Sequence, residues 1–188
     1  MVTIDLITGF LGSGKTTFLK KYAEYLMDQG LHIGILENDF GAINVDMLML
    51  HELRGDQCEL EMIAGGCDAE SHRRRFRTKL ISMRMCGYDR VLVEPSGIYD
   101  VDEFFDVLRE EPLDQWYEIG NVITILDARL EDNLSEQADY LLASEAANAG
   151  KVILSHADAA TREQCEDRFA ATGESTLRKI FYRKISRI

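Results

Sequence analysis

Short apolar runs alternate with longer amphipathic segments along this chain. The apolar runs predict β-strands at residues 2–7, 32–36, 58–63, 90–93, 122–126 and 151–154. Apolar positions at helical spacing predict α-helices at residues 15–28, 69–85, 101–108, 134–147 and 161–170. Strands that alternate with helices indicate an α/β fold, in which a mostly parallel sheet carries helices on both faces. The ligands of such folds bind at the carboxyl ends of the strands.

Composition and charge narrow the class of protein. The 188 residues are 46% hydrophobic and 29% charged, which is typical of a chain that folds around a full-sized core. No apolar run approaches the roughly 20 residues of a membrane helix, so we expect no membrane partner. A net charge of −12 disfavours nucleic acid as a partner. Four irregularly spaced cysteines and the absence of a signal-peptide pattern favour the cytoplasm.

The segment between the first predicted strand and the first predicted helix matches the phosphate-loop pattern G-x-x-x-x-G-K-[ST] at every fixed position. Its glycines let the backbone approach a phosphate closely, and the amides at the helix start point at the anion. Lys15 would place its ammonium beside the β and γ phosphates, and the Thr16 hydroxyl would take one Mg²⁺ position. The predicted nucleotide-binding residues of this loop are Gly9, Gly12, Ser13, Gly14, Lys15, Thr16 and Thr17.

A second motif is the sequence RVLVEPSG at residues 90–97, where an apolar strand ends on a carboxylate. A residue that supports Mg²⁺ in such a site is an acid, and it lies at the carboxyl end of a strand, next to the phosphates. Glu94 would hold Mg²⁺ through water or orient the attacking water, and Gly97 would donate its amide near the γ phosphate. The alternative is an ordinary acid at a helix N-terminus, and the phosphate loop upstream favours the functional interpretation.

A third motif is the acidic sequence ENDFGAINVD at residues 37–46, which follows the second predicted strand. A loop in this place can cover the nucleotide, and its carboxylates can reach Mg²⁺ or a second metal. Asp46 reads as a solvated loop residue, whereas Glu37 and Asp39 are better placed. We therefore predict that Lys15, Glu94 and Asp39 form the catalytic set, for hydrolysis between the β and γ phosphates.

Read in order, these motifs resemble the CobW/HypB/UreG family of metal-linked GTPases, in particular its CobW branch. The resemblance rests on GFLGSGKTT, ENDFGAINVD, the Gly-Gly-Cys turn at 65–67, VLVEPSG and VITILDA, and it covers residues 2–158. It implies a P-loop NTPase fold of the SIMIBI-like type and a Mg²⁺-dependent GTPase. It also implies delivery of zinc, cobalt or nickel to a metalloenzyme client or a cofactor, and formation of a homodimer.

Departures from the family pattern concern the internal metal site. The CobW branch carries C-x-C-C after the double glycine, whereas only Cys67 is present here, followed by residues 68–70 of sequence DAE. Cys67 and Glu37, with His72 or Cys58, could still supply the four ligands that zinc prefers. The alternative is that Cys67 is a small buried residue at a tight turn.

The position that reads the base also departs from the pattern. Guanine-specific relatives carry N-K-x-D after a strand, and the matching residues 155–158 read SHAD. Asp158 can accept from guanine N1 and N2, and His156 can stack on the base. GTP is therefore the first choice as the substrate and ATP remains the alternative. Asp127 ends the preceding strand, where it caps a helix, lines the edge of the active site or does both.

Two basic segments and the domain boundary complete the predictions. Residues 71–79 carry a run of Arg and Lys, either a solvated face paired with acids or a docking surface for a client or dimer partner. We expect the nucleotide-binding domain at residues 1–170. The basic tail at residues 171–188 is the end of this core or the remnant of a further domain.

Two other functions stay open: a nucleotide-binding regulatory module without metal transfer, and a P-loop kinase of small molecules.

Overall fold

A computed structural model of the chain describes residues 1–39, 45–64, 68–95, 101–129, 136–161 and 165. Six strands lie within these residues, and they form one sheet: β1 Val2–Thr8, β2 Ile33–Asp39, β3 Cys58–Ala64, β4 Arg90–Pro95, β5 Tyr117–Asp127 and β6 Lys151–Ser155. Their order is β3-β2-β4-β1-β5-β6, and every neighbouring pair runs parallel. All six predicted strands and the parallel α/β fold are therefore confirmed.

The described helices are α1 Lys15–Met27, α2 Val45–Leu50, α3 Ala69–Arg84, α4 Val101–Leu108, α5 Leu113–Trp116 and α6 Glu136–Asn148, with a 3₁₀ turn at His51–Leu53. The predicted helices in α1, α3, α4 and α6 are confirmed within two residues at their described ends. The sequence pattern predicted neither α2 nor α5, both of which are short. The predicted helix at 161–170 and the tail at 171–188 lie outside the described residues, apart from positions 161 and 165.

Both faces of the sheet are covered, as the near-continuous apolar strands require. Along β4 the side chains of Val91 and Val93 join one core cluster with α3 and α4, whereas Leu92 joins a second cluster with α1 and α2. Phe76 of α3 and Phe104 of α4 are fully buried, and burying each ring is worth roughly 3 kcal/mol. No helix in the described part of the chain is both long and apolar enough to cross a bilayer.

β5 begins five residues earlier than its apolar run predicts, because its first half pairs with β1 around a buried charge. The carboxylate of Asp5 in β1 is fully buried and forms an ion pair with Arg90, whose Nε lies 2.9 Å from Asp5 Oδ2. It accepts from Arg90 Nη2 at 3.3 Å and from the Asn121 amide at 2.6 Å. The Tyr22 hydroxyl donates to it at 2.8 Å. A Cβ at Gly120 would lie 2.3 Å from Asp5 Oδ1, so only glycine fits opposite this carboxylate.

Candidate functional site

The loop between β1 and α1 has the backbone conformation that its glycines allow. Gly9, Gly12 and Gly14 have φ angles of 143°, 77° and 90°, all in the region that favours glycine. A Cβ at Gly9 would lie 2.3 Å from the carbonyl oxygen of Ile125, so the start of the loop packs directly against β5. The loop therefore turns sharply and brings the N-terminus of α1 to the carboxyl ends of the strands.

Lys15 and Ser13 lie inside the loop. Lys15 is only 7% exposed, and its ammonium donates to the carbonyl of Gly9 at 2.9 Å and to that of Phe10 at 3.4 Å. The buried Ser13 hydroxyl makes no hydrogen bond with any residue that the structure describes. Thr17, the last predicted residue of the loop, is exposed at the start of α1. The Lys15 ammonium, the Ser13 hydroxyl and the N-terminus of α1 thus lie together at the loop, an arrangement that suits an anion.

Three oxygen-bearing side chains meet beside this loop. The Thr16 hydroxyl donates to Glu94 Oε1 at 2.7 Å, and both side chains are buried. Glu37 of β2 stands directly opposite Glu94 of β4 in the strand register and is 3% exposed. Neighbouring strands lie about 4.8 Å apart, so the two carboxylates flank one another at the carboxyl edge of the sheet. Two adjacent buried carboxylates favour a cation at this place.

The other edge of the site is formed by the ends of β5 and β6. Asp127 Oδ1 accepts from the Arg129 amide at 2.9 Å, and Asp127 Oδ2 lies 3.2 Å from His156 Nδ1. Burial alone would raise the pKa of Asp127, but the hydrogen bonds and charge of Arg129 and the charge of His156 hold it below its ordinary value. Asp127 therefore lines the edge of the site, but it accepts from a turn at residues 128–129 and not from the start of a helix as predicted.

The segment at residues 155–158 also lies against the phosphate loop. Ser155 is buried, its hydroxyl donates to the Leu126 carbonyl at 3.2 Å, and its Cβ is close to the backbone of Gly14. His156 has a left-handed φ of 51°, which turns the chain, and Asp158 is exposed. The serine at the position where the family pattern has asparagine thus packs beside Gly14 of the loop.

Several predicted site residues, or their side chains, are not among those that the structure describes. The Asp39 backbone ends β2 but its side chain is not described, and Cys67 and Gly97 lie outside the described residues altogether. The structure therefore brings together Lys15, Thr16 and Glu94, with Glu37 beside them.

Cys58 does not fit the metal site for which it was considered. Cys58 pairs with Ile33 at the start of β3, whereas Glu37 pairs with Met62, so the two positions are about 13 Å apart along the strands. The Cys58 thiol is fully buried in an apolar cluster, and burial with the charge of Glu59 raises its pKa to about 11. A neutral, buried thiol at the opposite end of the strand cannot join Glu37, so this part of the prediction is wrong.

His72 is likewise held elsewhere. Its ring is fully buried, and Nδ1 lies 3.0 Å from Glu103 Oε1 on α4. Over the described ranges, no group of three or more His, Cys, Asp or Glu side chains is arranged to hold a metal ion.

The basic run on α3 has acidic partners. Arg73 donates to Glu110 at 2.7 Å, Arg77 lies 2.9 Å from the same carboxylate, and Lys79 contacts Glu61 at 2.8 Å. These half-exposed ion pairs bear out the interpretation of a solvated face paired with acids.

Sequence reasoning missed one buried acid next to the loop. Glu145 of α6 is 3% exposed, and its Oε2 atom makes no hydrogen bond with any residue that the structure describes. Burial raises the pKa of Glu145 to about 7, although the charge of Lys15 and the Gly9 amide act in the opposite direction. The available signal was a lone acid within the small-residue sequence ASEAANA at 143–149, where a helix can approach the sheet closely.

The comparisons with known proteins agree with this geometry. Residues 3–180 match the family model described as CobW/HypB/UreG, nucleotide-binding domain. The chain is 29% identical over 182 residues to the zinc chaperone YjiA of Escherichia coli (strain K12), covering 90% of this chain and 54% of YjiA. It is 28% identical over 164 residues to the zinc chaperone YeiR of the same organism, covering 87% of this chain and 49% of YeiR. The chain thus spans about half the length of these relatives.

A solved structure shares the fold. The Zn(II)-bound YjiA GTPase from E. coli superposes with a TM-score of 0.55 at 22% identity, over 89% of this chain and 53% of that one. The matched family model spans most of the chain, including the phosphate loop and both strand-end acids. The chain therefore belongs to the CobW/HypB/UreG family, and the matched region is that family's nucleotide-binding domain.

Proposed function

We propose that this chain binds GTP with Mg²⁺ and hydrolyses the bond between the β and γ phosphates. The observation that carries the proposal is the 2.7 Å hydrogen bond from Thr16 to Glu94, which joins the phosphate loop to the acid at the end of β4. This contact places a hydroxyl and a carboxylate together beside the buried ammonium of Lys15. Phosphoryl transfer needs this combination of positioning and charge neutralisation.

The donor set fits Mg²⁺. Thr16 and Glu94 offer hard oxygen atoms, which this ion prefers, and Glu37 adds a second carboxylate at the same edge. Thr16 would bind the ion directly, and Glu94 would hold it through water. When bound, Mg²⁺ would neutralise charge on the β and γ phosphates.

The protein groups would act mainly by orientation. Lys15 now donates to the carbonyls of Gly9 and Phe10, and it would exchange these for phosphate oxygens when nucleotide binds. The loop amides would bind the remaining oxygens, and Gly97 would add its amide near the γ phosphate. Asp39, at the end of β2, would close over the site. We expect slow turnover until a partner or a bound metal completes the site.

GTP is favoured over ATP by the segment at residues 155–158. Asp158 is exposed and can accept from guanine N1 and N2, which adenine cannot offer. His156, fixed beside Asp127, would stack on the base in place of a lysine stem.

We further propose that nucleotide binding controls delivery of a metal. The matched relatives are named zinc chaperones, which favours zinc as the cargo, with cobalt as the alternative. Glu37 and Cys67 are the candidate ligands of that metal. A metalloenzyme client would then bind in one nucleotide state and leave in the other, and a homodimer would be the assembled form.

A regulatory module without metal transfer is the second candidate. It is favoured by the placement of Cys58 at the far end of β3, which removes one of the four ligands considered. A small-molecule kinase differs from both candidates because it consumes nucleotide only when an acceptor is present.

Calorimetric titration with GTP and ATP in Mg²⁺, followed by phosphate release assays, tests the proposal. We expect tighter binding of GTP and slow phosphate release with water alone. Thr16→Val should weaken Mg²⁺-dependent binding, whereas the matched control Thr78→Val, at an exposed position of α3, should not. Absence of GTP binding would contradict the proposal.

Repeating the titrations with Zn²⁺ and Co²⁺ separates the two candidates. Metal binding that changes with the nucleotide supports metal delivery. Nucleotide binding without metal binding supports the regulatory module.

A further inference from the structure

The turn that follows β6 holds a histidine in an unusual backbone conformation. His156 has a φ of 51°, and no other residue but glycine has a positive φ in the described part of the chain. The carbonyl of His156 accepts from the Ala159 amide at 2.9 Å, which closes a turn that includes Asp158. Left-handed backbone costs free energy in a residue with a Cβ, and it persists where the surrounding contacts fix it. The side chain of His156 is therefore expected to have specific partners.

Two oxygen atoms lie at the same distance from one nitrogen of this ring. His156 Nδ1 is 3.2 Å from Ser155 Oγ and 3.2 Å from Asp127 Oδ2. The Ser155 hydroxyl donates its only proton to the Leu126 carbonyl at 3.2 Å, so Ser155 Oγ must accept from the ring. Asp127 Oδ2 is a carboxylate oxygen, which can only accept. Both neighbours therefore require the proton on Nδ1, and Nε2 of the neutral ring carries none.

These two neighbours are themselves fixed in place. Arg129 contacts both carboxylate oxygens of Asp127, with Nε 3.1 Å from Oδ1 and Nη2 2.8 Å from Oδ2. Ser155 is buried at the end of β6, and its carbonyl accepts from the Ala128 amide at 3.1 Å. The His156 side chain is 38% exposed, so a ligand can reach the ring although its Nδ1 atom is held. A ring fixed in this way loses little conformational entropy when a ligand binds to it.

The held ring lies next to the proposed nucleotide site. A Cβ at Gly14 of the phosphate loop would lie 3.8 Å from the Cβ of Ser155, so a nucleotide bound on this loop has the neighbouring turn within reach of its base. We propose that Ser155 and Asp127 are positioning residues for base recognition: they hold the His156 ring in one orientation, as the Nδ1–H tautomer, so that the guanine base stacks on a preformed surface. This inference rests on the proposed function, in which His156 is the residue that stacks on the base.

The tautomer is measured by NMR of the ¹⁵N-histidine-labelled chain without nucleotide, at about pH 8.5, where an ordinary imidazole is neutral. The ring signals that disappear in His156→Gln assign the residue. We expect the wild-type ring to carry its proton on Nδ1, whereas free histidine favours Nε2. Asp127→Asn keeps an oxygen for the Arg129 amide and turns its NH₂ group toward His156, which should move the proton to Nε2. A wild-type ring with its proton on Nε2 would overturn the inference.

Affinity measurements show whether the held ring serves the base. We expect Asp127→Asn and Ser155→Ala to weaken GTP–Mg²⁺ binding about fivefold by calorimetry, because the ring must then be ordered on binding. Binding of inorganic tripolyphosphate with Mg²⁺, which has no base, should change by less than about twofold. Asp127→Asn should have no further effect in a His156→Gln background. Ser82→Ala, at an exposed position of α3, is the matched serine control.

The outcomes are distinct. Variants that bind GTP like wild type would overturn the inference, and so would an equal loss for GTP and tripolyphosphate, which indicates damage to the phosphate loop. A loss of the same size in the His156→Gln background would also overturn it, because Asp127 would then act without the ring. If Asp127→Asn does not unfold cooperatively, the wild-type tautomer and Ser155→Ala decide. A wild-type chain that binds neither GTP nor ATP would refute the proposed function and this inference with it. Wild-type GTP binding together with a proton on Nε2 would refute this inference alone.

Discussion

Replacing Glu145 with glutamine removes an ionisable carboxyl from the region behind the phosphate loop. Burial raises the pKa of Glu145 from 4.5 to about 7 in the folded chain. The folded chain therefore holds this proton more tightly than the unfolded chain, so the group favours folding at low pH. Its contribution is complete below the unfolded pKa and is lost as the pH rises through about 7. A pKa difference of this size corresponds to about 3 kcal/mol, of which about 2 kcal/mol is lost between about pH 5.5 and pH 8.5.

Urea unfolding at these two pH values measures the effect, with the fluorescence of Trp116, the single tryptophan, as the signal. We compare the free energy of unfolding of Glu145→Gln with that of wild type at each pH. We expect the variant to gain about 2 kcal/mol relative to wild type between the lower and the higher pH. Glu24→Gln, at an exposed position on α1, serves as the matched control and should show little change. If the Glu145→Gln and wild-type values change in parallel with pH, the carboxyl does not titrate in the folded chain as the structure indicates.

The remaining predictions concern the loop, the core and the base. Gly9→Ala should lower the free energy of unfolding by about 2 kcal/mol or more and weaken GTP binding, because its Cβ would clash with the Ile125 carbonyl. Chemical unfolding checks this against Gly55→Ala, whose Cβ would enter open space and should cost less. Phe104→Ala should cost about 3–5 kcal/mol of unfolding free energy, since the ring is fully buried, and an unfolding midpoint like that of wild type would contradict the packing. Asp158→Asn should weaken GTP binding about tenfold and leave ATP binding unchanged, as measured by parallel titrations; an equal loss for both nucleotides would argue against guanine recognition.

The strands and the phosphate loop were predictable because the local sequence pattern and the surrounding tertiary structure favour the same conformation there. Val91, Leu92 and Val93 form a run that is apolar on both faces, and the strand is covered by helices on both faces. Gly9 and Gly14 could be recognised as loop residues because both have positive φ angles, which residues other than glycine rarely adopt. Two acids at strand ends, Glu37 and Glu94, follow from the rule that ligands bind at the carboxyl edge of a parallel sheet.

The features that escaped prediction depend on contacts between residues far apart in the sequence. The early start of β5 is stabilised by the Asp5 carboxylate, more than 100 residues away, which accepts from the Asn121 amide. Glu145 resembles a surface acid of an amphipathic helix, and only the packing of α6 behind the loop shows that it is buried. Cys58 was considered because zinc accepts thiolate ligands, whereas the strand register puts its thiol at the opposite edge of the sheet from Glu37.

The central claim is that the loop at residues 9–17 binds a nucleoside triphosphate with Lys15 as its cation. Calorimetric titration of Lys15→Ala with GTP and Mg²⁺ tests it most directly, on protein whose unfolding transition matches that of wild type. We expect affinity to fall by about a hundredfold, because a buried ammonium that binds phosphate oxygens is lost. A folded Lys15→Ala variant that binds GTP as tightly as wild type would contradict the claim.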